Sequence, residues 1–302
     1  MPRLATFLLA LAPFALLPAS PCAAQIGSDE GGATVAMGPQ YDSTHVYVAQ
    51  EDFDRFVASF VETFGGTASK RGLLQVTPTS SQTVFQAVQT PVGILSVFGF
   101  TTPVPYPFGL ERTGYLVANI DSALKSARSH GADVIVAIFP DPIGRDAVVE
   151  WPGGVHMQFY VHTTAPHYPP LKTIPENRVY ISPDRIEAFV HGFVGFSHGR
   201  IISDNSRAPG VEIGRPGDTF RRVRLVSNFG KLVAFVTDGH LPYPYGREIT
   251  GYEVPDLGIT LTKARAAGAE VLVAPFSAED REEAMVRFPG GYIAEIHAAR
   301  LP

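Results

Sequence analysis

In the stretch VHMQFYVH, from Val155 to His162, polar and apolar side chains alternate. On a strand this puts His156, Gln158, Tyr160 and His162 on one face and Val155, Met157, Phe159 and Val161 on the other. A helix would cover the apolar face, so the polar one lines whatever space the sheet encloses. His45 with Tyr47 and Arg178 with Tyr180 repeat the pattern on two short strand-like runs, and Glu295 with His297 does so near the end of the chain. Imidazole, amide and carboxylate groups can hold a divalent cation or hydrogen-bond a polar ligand. A guanidinium, always protonated and without a lone pair, can do only the second.

The elements that must position these residues occur in duplicate. Sliding Val104–Tyr160 onto Leu241–His297 gives 23 identities in 57 ungapped pairs, and "VYVAQEDFDRFVASFV" (46–61) overlays "VYISPDRIEAFVHGFV" (179–194). Within a copy the apolar period switches between two and 3.6. Phe53, Phe56, Val57, Phe60, Val61 and Phe64 make one helix face, closed by Gly65-Gly66, and Ile186, Phe189, Val190, Phe193 and Val194 repeat it. "QTVFQAV" and "VGILSVFGF" read as strands, as do "TGYLV", "ADVIVAIF" and "DAVVEW"; "NIDSALKSARSHG" reads as a second helix with Gly131 just past its end. The order is βαβββ, twice per copy. The phrases PYPFGLERTGY (105–115) and PYPYGREITGY (242–252) are read as rigid, packed strand-to-strand crossovers; the alternative is that Tyr106, Phe108, Tyr243 and Tyr245 overhang the trough mouth and that Glu111 and Glu248 contact ligand or cap the connection.

This order, with "HVYVAQEDFDRFVASFVETFGG", "NIDSALKSARSHGADV" and "GRDAVVEWPGGVHMQFY", resembles the glyoxalase, bleomycin-resistance and extradiol-dioxygenase superfamily, the vicinal oxygen chelate (VOC) proteins. The resemblance implies an α+β fold of tandem VOC domains, each two βαβββ units forming a curved, mostly antiparallel sheet around an open trough. It also implies four inward positions that in the family commonly hold a divalent metal. In copy one these fall on His45, Ser96, Arg112 and Gln158, and in copy two on Arg178, Val233, Ile249 and Glu295. A catalytic ion usually takes about three protein donors. Copy one offers His45 and Gln158; copy two offers Glu295, with His297 two residues on. Arg178 is expected to pair with Glu295 in place of an ion, by a bidentate contact. Arg145 has no counterpart in copy two, where Glu282 stands.

The rest of the chain sets limits. Of 302 residues 45% are hydrophobic and 18% charged, with a net charge of −5, so neither disorder nor a polyanionic partner is expected. Arg3, the apolar run 4–17 and the small-residue stretch up to Ala24 read as an export signal (1–24), followed by a flexible lead-in (25–42). VOC domain 1 is placed at 43–162, a Pro-rich linker at 163–176 and VOC domain 2 at 177–300. The only cysteine, Cys22, lies in the removed segment, which suits a periplasmic or secreted protein. Neither a phosphate-binding Gly loop, nor an HExxH motif, nor a G-x-S-x-G pattern is expected in the chain.

The sequence therefore leads to an exported protein that binds a small organic molecule through His45, Tyr47, Arg112, His156, Gln158, Tyr160, Arg178, Tyr180, Glu295 and His297, without a cofactor. The alternative is a divalent-metal VOC enzyme (lyase, isomerase or epimerase, or dioxygenase) with His45 and Gln158 in domain 1. Neither nucleic acid nor, once the signal is removed, membrane is an expected partner; a homodimer is left open.

Overall fold

The computed structural model describes residues 34–300; the expected signal segment with Cys22, and the lead-in up to residue 33, lie outside them. In copy one β1 (Ser43–Tyr47), α1 (Phe53–Phe64), two short strands β2 (Thr67–Ala68) and β3 (Gly72–Leu74), β4 (Thr83–Thr90) and β5 (Gly93–Phe100) make the first unit. β6 (Thr113–Leu116), α2 (Ile120–Ser129), β7 (Asp133–Pro140), β8 (Gly144–Trp151) and β9 (Val155–His162) make the second. Copy two repeats this as β10 (Glu176–Ile181), α3 (Ile186–Ser197), β11 (Arg200–Pro209), β12 (Thr219–Ser227) and β13 (Gly230–Val236), then β14 (Ile249–Glu253), α4 (Leu257–Ala266), β15 (Glu270–Ala278), β16 (Arg281–Arg287) and β17 (Ile293–Ala299). β2 and β3 were not expected, because two or three residues are too few to show a period.

Each copy forms one curved mixed sheet. The order is β2-β4-β5-β1-β6-β9-β8-β7 in copy one, with β3 beside β4, and β11-β12-β13-β10-β14-β17-β16-β15 in copy two. Inside a unit the first and last strands run parallel (β1 with β5, β6 with β9); the two units join antiparallel along β1 and β6. Copy two joins in the same way along β10 and β14. The second helix of each copy starts at an equivalent cap: Asn119 Oδ1 accepts from the Ser122 amide at 2.9 Å and Asp256 Oδ1 from the Ile259 amide at 2.8 Å.

The helix-bearing faces of the two sheets meet, so the two largest core clusters each draw on both copies. Phe53, Phe56 and Phe60 of α1 pack in one cluster with Tyr252, Leu257, Leu261 and Phe288 of copy two. Trp151 and Phe159 of copy one share the other cluster with Phe189, Phe193 and Phe196 of α3. A fully buried Phe contributes roughly 1.5–3 kcal/mol, so each copy stabilises the other. Where the sheets touch, Thr44 and Thr250 hydroxyls lie 3.3 Å apart and Asn177 Nδ2 donates to the Tyr115 hydroxyl at 3.4 Å. The opposite, inner faces are left to form two troughs.

Candidate ligand-binding site

In copy one the inner face of β1 carries Ser43, His45 and Tyr47; β5 sets Ser96 in register beside His45, and β9 adds Gln158 and Tyr160. They enclose a cavity of about 180 Å³. Its walls are mostly apolar, with Leu74, Phe85, Phe98, Phe100, Phe108 and Ile143 the largest contributors. The polar groups sit at the floor. Gln158 Nε2 donates to Asp146 Oδ2 at 3.0 Å, and burial, helped by the charge of Asp141, raises the Asp146 carboxyl well above its ordinary pKa. The Tyr47 hydroxyl donates to Glu111, which is fully buried, and its ring stacks on Phe98 at 5.1 Å. Glu111 Oε1 lies 3.8 Å from His45 Nδ1, too far for a hydrogen bond, which leaves that nitrogen buried and without a partner. At the rim, burial lowers the pKa of His162.

The four positions expected to face an ion do not make a ligand set. His45 and Ser96 are in register as expected, and the His45 amide donates to the Arg112 carbonyl at 2.9 Å. The residue that faces the imidazole, however, is Gly114, which is paired with Gln158 across the sheet. A Cβ built there would lie 2.5 Å from His45 Nε2 and 3.0 Å from Ser43 Oγ. Room for the imidazole thus exists because that position has no side chain, and a residue without a side chain donates nothing. The Arg112 guanidinium lies over the Tyr47 ring, 5.8 Å from its centroid. Asp146 supplies a further oxygen donor beside Gln158.

Copy two replaces this cavity floor with charge. The equivalent positions hold Glu176, Arg178 and Tyr180 on β10, Glu283 on β16, and Glu295 and His297 on β17. Arg178 Nη1 lies 3.3 Å from Glu295 and 3.4 Å from Glu176, and its Nη2 lies 3.1 Å from Glu283. Arg281 reaches Glu176 at 3.0 Å, and His297 Nδ1 lies 2.9 Å from Glu295. The expected Arg178–Glu295 contact is present, but one guanidinium is shared among three carboxylates instead of gripping one bidentately. Burial opposes the Arg178 charge, yet the three carboxylates outweigh it and hold the group protonated. Burial likewise opposes ionisation of Glu176, but His297, Arg281 and Arg178 prevail and hold its carboxyl well below the usual range. Glu283 is pushed up to about 7 by burial, with Glu295 adding.

This network also corrects the expected donor count. Glu176, Glu295 and His297 bring three ligand atoms within 4.8 Å of one another, where only Glu295 and His297 were expected. Two of the three already face Arg178, so the charge they present is met from within the protein. Glu176 escaped notice because the second domain was started at residue 177, although it continues the Arg178, Tyr180 alternation. Glu283 aligns with Asp146 in the repeat and could have been found there. Beside the network, Arg222 pairs with Glu212 and Glu279, and Ile213 packs with Phe220, Val233 and Phe235. Tyr180 stacks on Phe235 at 5.1 Å.

The remaining predicted residues meet elsewhere. Arg112 and His156, with the back of His45 and Tyr47, line a second cavity of about 610 Å³ shared between the copies. The two repeated phrases converge on it, Leu110 and Arg112 from one and Tyr245, Arg247, Glu248 and Thr250 from the other. The two identical glutamates differ in role. Glu111 accepts from Tyr47, whereas Glu248 is pushed up to about 8 by burial, an effect that Arg112 and Asn177 oppose. Of the phrases' aromatics, Phe108 is buried against Phe139, Tyr245 is half-buried, and Tyr106 and Tyr243 are exposed. Arg145 pairs with Asp121 on the surface at 3.2 Å.

One sequence pattern needs correcting. Gly195-Phe196-Ser197-His198-Gly199 does spell G-x-S-x-G, but the elbow that makes such a serine nucleophilic is a strand-to-helix turn. Ser197 instead ends α3, is buried, and donates back to the Phe193 carbonyl at 2.6 Å. It is a helix-terminal hydroxyl.

No family model and no curated protein matches this sequence. Solved structures do resemble it in fold. A mutant 4-hydroxymandelate synthase from Streptomyces coelicolor superposes over 89% of this chain and 94% of its own, at TM-score 0.58 and 11% identity. A Mn(II)-bound glyoxalase from Novosphingobium aromaticivorans covers 88% of this chain and 83% of its own, at 0.54 and 11%. The 2,2',3-trihydroxybiphenyl 1,2-dioxygenase of Sphingomonas wittichii covers 88% and 91%, at 0.54 and 10%. Likeness at such identity speaks for the fold alone.

Proposed function

We propose that this chain, whose fold is that of the vicinal oxygen chelate proteins in tandem, binds a small organic molecule in the trough of copy one while copy two serves as its structural partner. The observation that carries the reading is the contrast at equivalent positions. Ser43, His45, Asp146 and Gln158 surround a cavity, whereas Glu176, Glu283 and Glu295 close on Arg178 in a buried ion-pair network. At about 180 Å³ the cavity is smaller than the ~300 Å³ at the lower end for drug-sized ligands. It suits one ring or a branched aliphatic group, sandwiched by Phe85, Phe98 and Phe100. A single polar substituent on the ligand would reach the Asp146 carboxyl, which burial biases towards its proton-bearing form, and the unpartnered His45.

Export to a periplasmic or secreted location is part of the same reading and rests on residues 1–24 alone. The test is a thermal-shift screen of neutral single-ring compounds that carry one hydrogen-bonding group. A ligand at 100 times its Kd adds about 2.7 kcal/mol of stability. Ala87→Phe, which fills the cavity from β4 beside Ser96, should abolish the shift.

A second reading is a divalent-metal enzyme in copy one. The Gln158–Asp146 contact favours it, since Asp146 would be the third donor with His45 and Gln158. Metal analysis of protein purified without chelators decides between them: a near-stoichiometric ion that His45→Ala removes would establish the enzyme reading.

A further inference from the structure

We propose that the cleft between the copies is a second binding site, which holds an organic carboxylate on the guanidinium of Arg112. The cleft, about 610 Å³, exists only because both copies contribute to it. Arg112 is half-buried on its wall and makes no ion pair among the described residues; the contact it does make is with the face of the Tyr47 ring. A guanidinium withdrawn from water without an anion is costly, and a bidentate carboxylate is the partner that matches its fork. Across the cleft Glu248 presents a buried Oε1 that has no partner. Burial pushes this carboxyl up to about 8, so near neutrality it donates to an incoming carboxylate oxygen. Of the other cation-forming groups on the wall, His156 is already taken by Glu150 at 2.7 Å, Arg247 is exposed and lies over the Tyr243 ring, and His45 is turned to Glu111. Tyr245, Tyr292, Leu110 and Ile293 supply apolar and aromatic surface around the charge, which is why an organic anion fits better than an inorganic one.

Glu248 is faced by Arg112 and Glu111 ahead of β6, Tyr115 on β6, Asn177 on β10, Tyr292 ahead of β17 and His156 on β9, with Arg247 beside it in the chain. Above its pKa the ionised Glu248 competes for Arg112, so carboxylate binding weakens as pH rises through about 8.

The experiment is titration calorimetry of the full chain with benzoate, with neutral benzamide as the control. Ala87→Phe removes the copy-one trough from the measurement, so a failure here is distinct from a failure there. Benzoate should bind the wild type and A87F alike, and benzamide should not bind A87F. Arg112→Met should weaken benzoate at least tenfold; if that variant does not fold, Arg112→Lys, which keeps the charge and loses the fork, should still weaken it several-fold. Glu248→Gln should retain binding at pH 7 and lose the decline above pH 8. The proposal is overturned by benzoate failing to bind at about 10 mM, by benzamide binding A87F as well as benzoate does, or by Arg112 variants binding like the wild type.

Discussion

A methyl group at position 114 would meet His45 Nε2 at 2.5 Å, so Gly114→Ala has to turn the imidazole out of its place on the cavity wall. The expected outcome is a loss of about tenfold in affinity for a copy-one ligand, close to 1.4 kcal/mol, with a smaller loss of stability. Titration of one ligand into both proteins measures it. In copy two the residue to change is Arg178. Arg178→Met keeps much of the volume but leaves Glu176, Glu283 and Glu295 buried with less compensation, and breaking such a network costs about 3–5 kcal/mol. Urea unfolding should show that loss. Adding Glu283→Gln to the same chain should recover part of it, because one buried charge is removed with its counter-charge.

At the level of elements, β10, β16 and β17 make stability depend on pH. Glu283 titrates near 7 when folded against an ordinary 4.5, so the unfolded chain loses that proton first and stability falls between those values. Glu248, pushed up to about 8, acts in the same direction. His297 is raised by Glu295 against the opposing effect of burial, so its contribution is present below 6.5 and is lost as pH rises. Glu176, held low, acts oppositely: its contribution is present above 4.5 and is lost on acidification. Melting temperature should therefore peak at about pH 4 to 5 and decline towards pH 9, and Glu283→Gln should flatten the decline below pH 7. These strands also show what a sequence discloses. Alternation along β9 and β17 placed Gln158, Tyr160, Glu295 and His297 on the inner face, since a two-residue period is local. The contribution of β16 was not legible, because Glu283 meets Arg178 only through the pairing of three strands remote in the chain. Gly114 was missed for a different reason: an absent side chain has no pattern, and its meaning appears only when His45 is beside it.

On the scale of the whole molecule, the duplication was plain in the sequence, but the way the copies depend on each other was not. Phe56 and Phe60 read as a helix face seeking its own sheet, and they also cover Phe288 and Tyr292 of the other copy. A chain of residues 34–170 should accordingly fail to unfold cooperatively, whereas the full chain should melt in a single transition; calorimetry of both checks this. Joining the copies also brings the two repeated phrases together at one cleft, which gives the repetition a use beyond scaffolding. The claim on which the rest depends is that copy one holds a small organic molecule in its trough by its own side chains. The most direct measurement is the thermal shift of wild type and Ala87→Phe against neutral single-ring compounds, with and without chelator. The account predicts a shift that chelator leaves unchanged and Ala87→Phe abolishes. A shift that disappears with chelator, or one that survives Ala87→Phe, would contradict it.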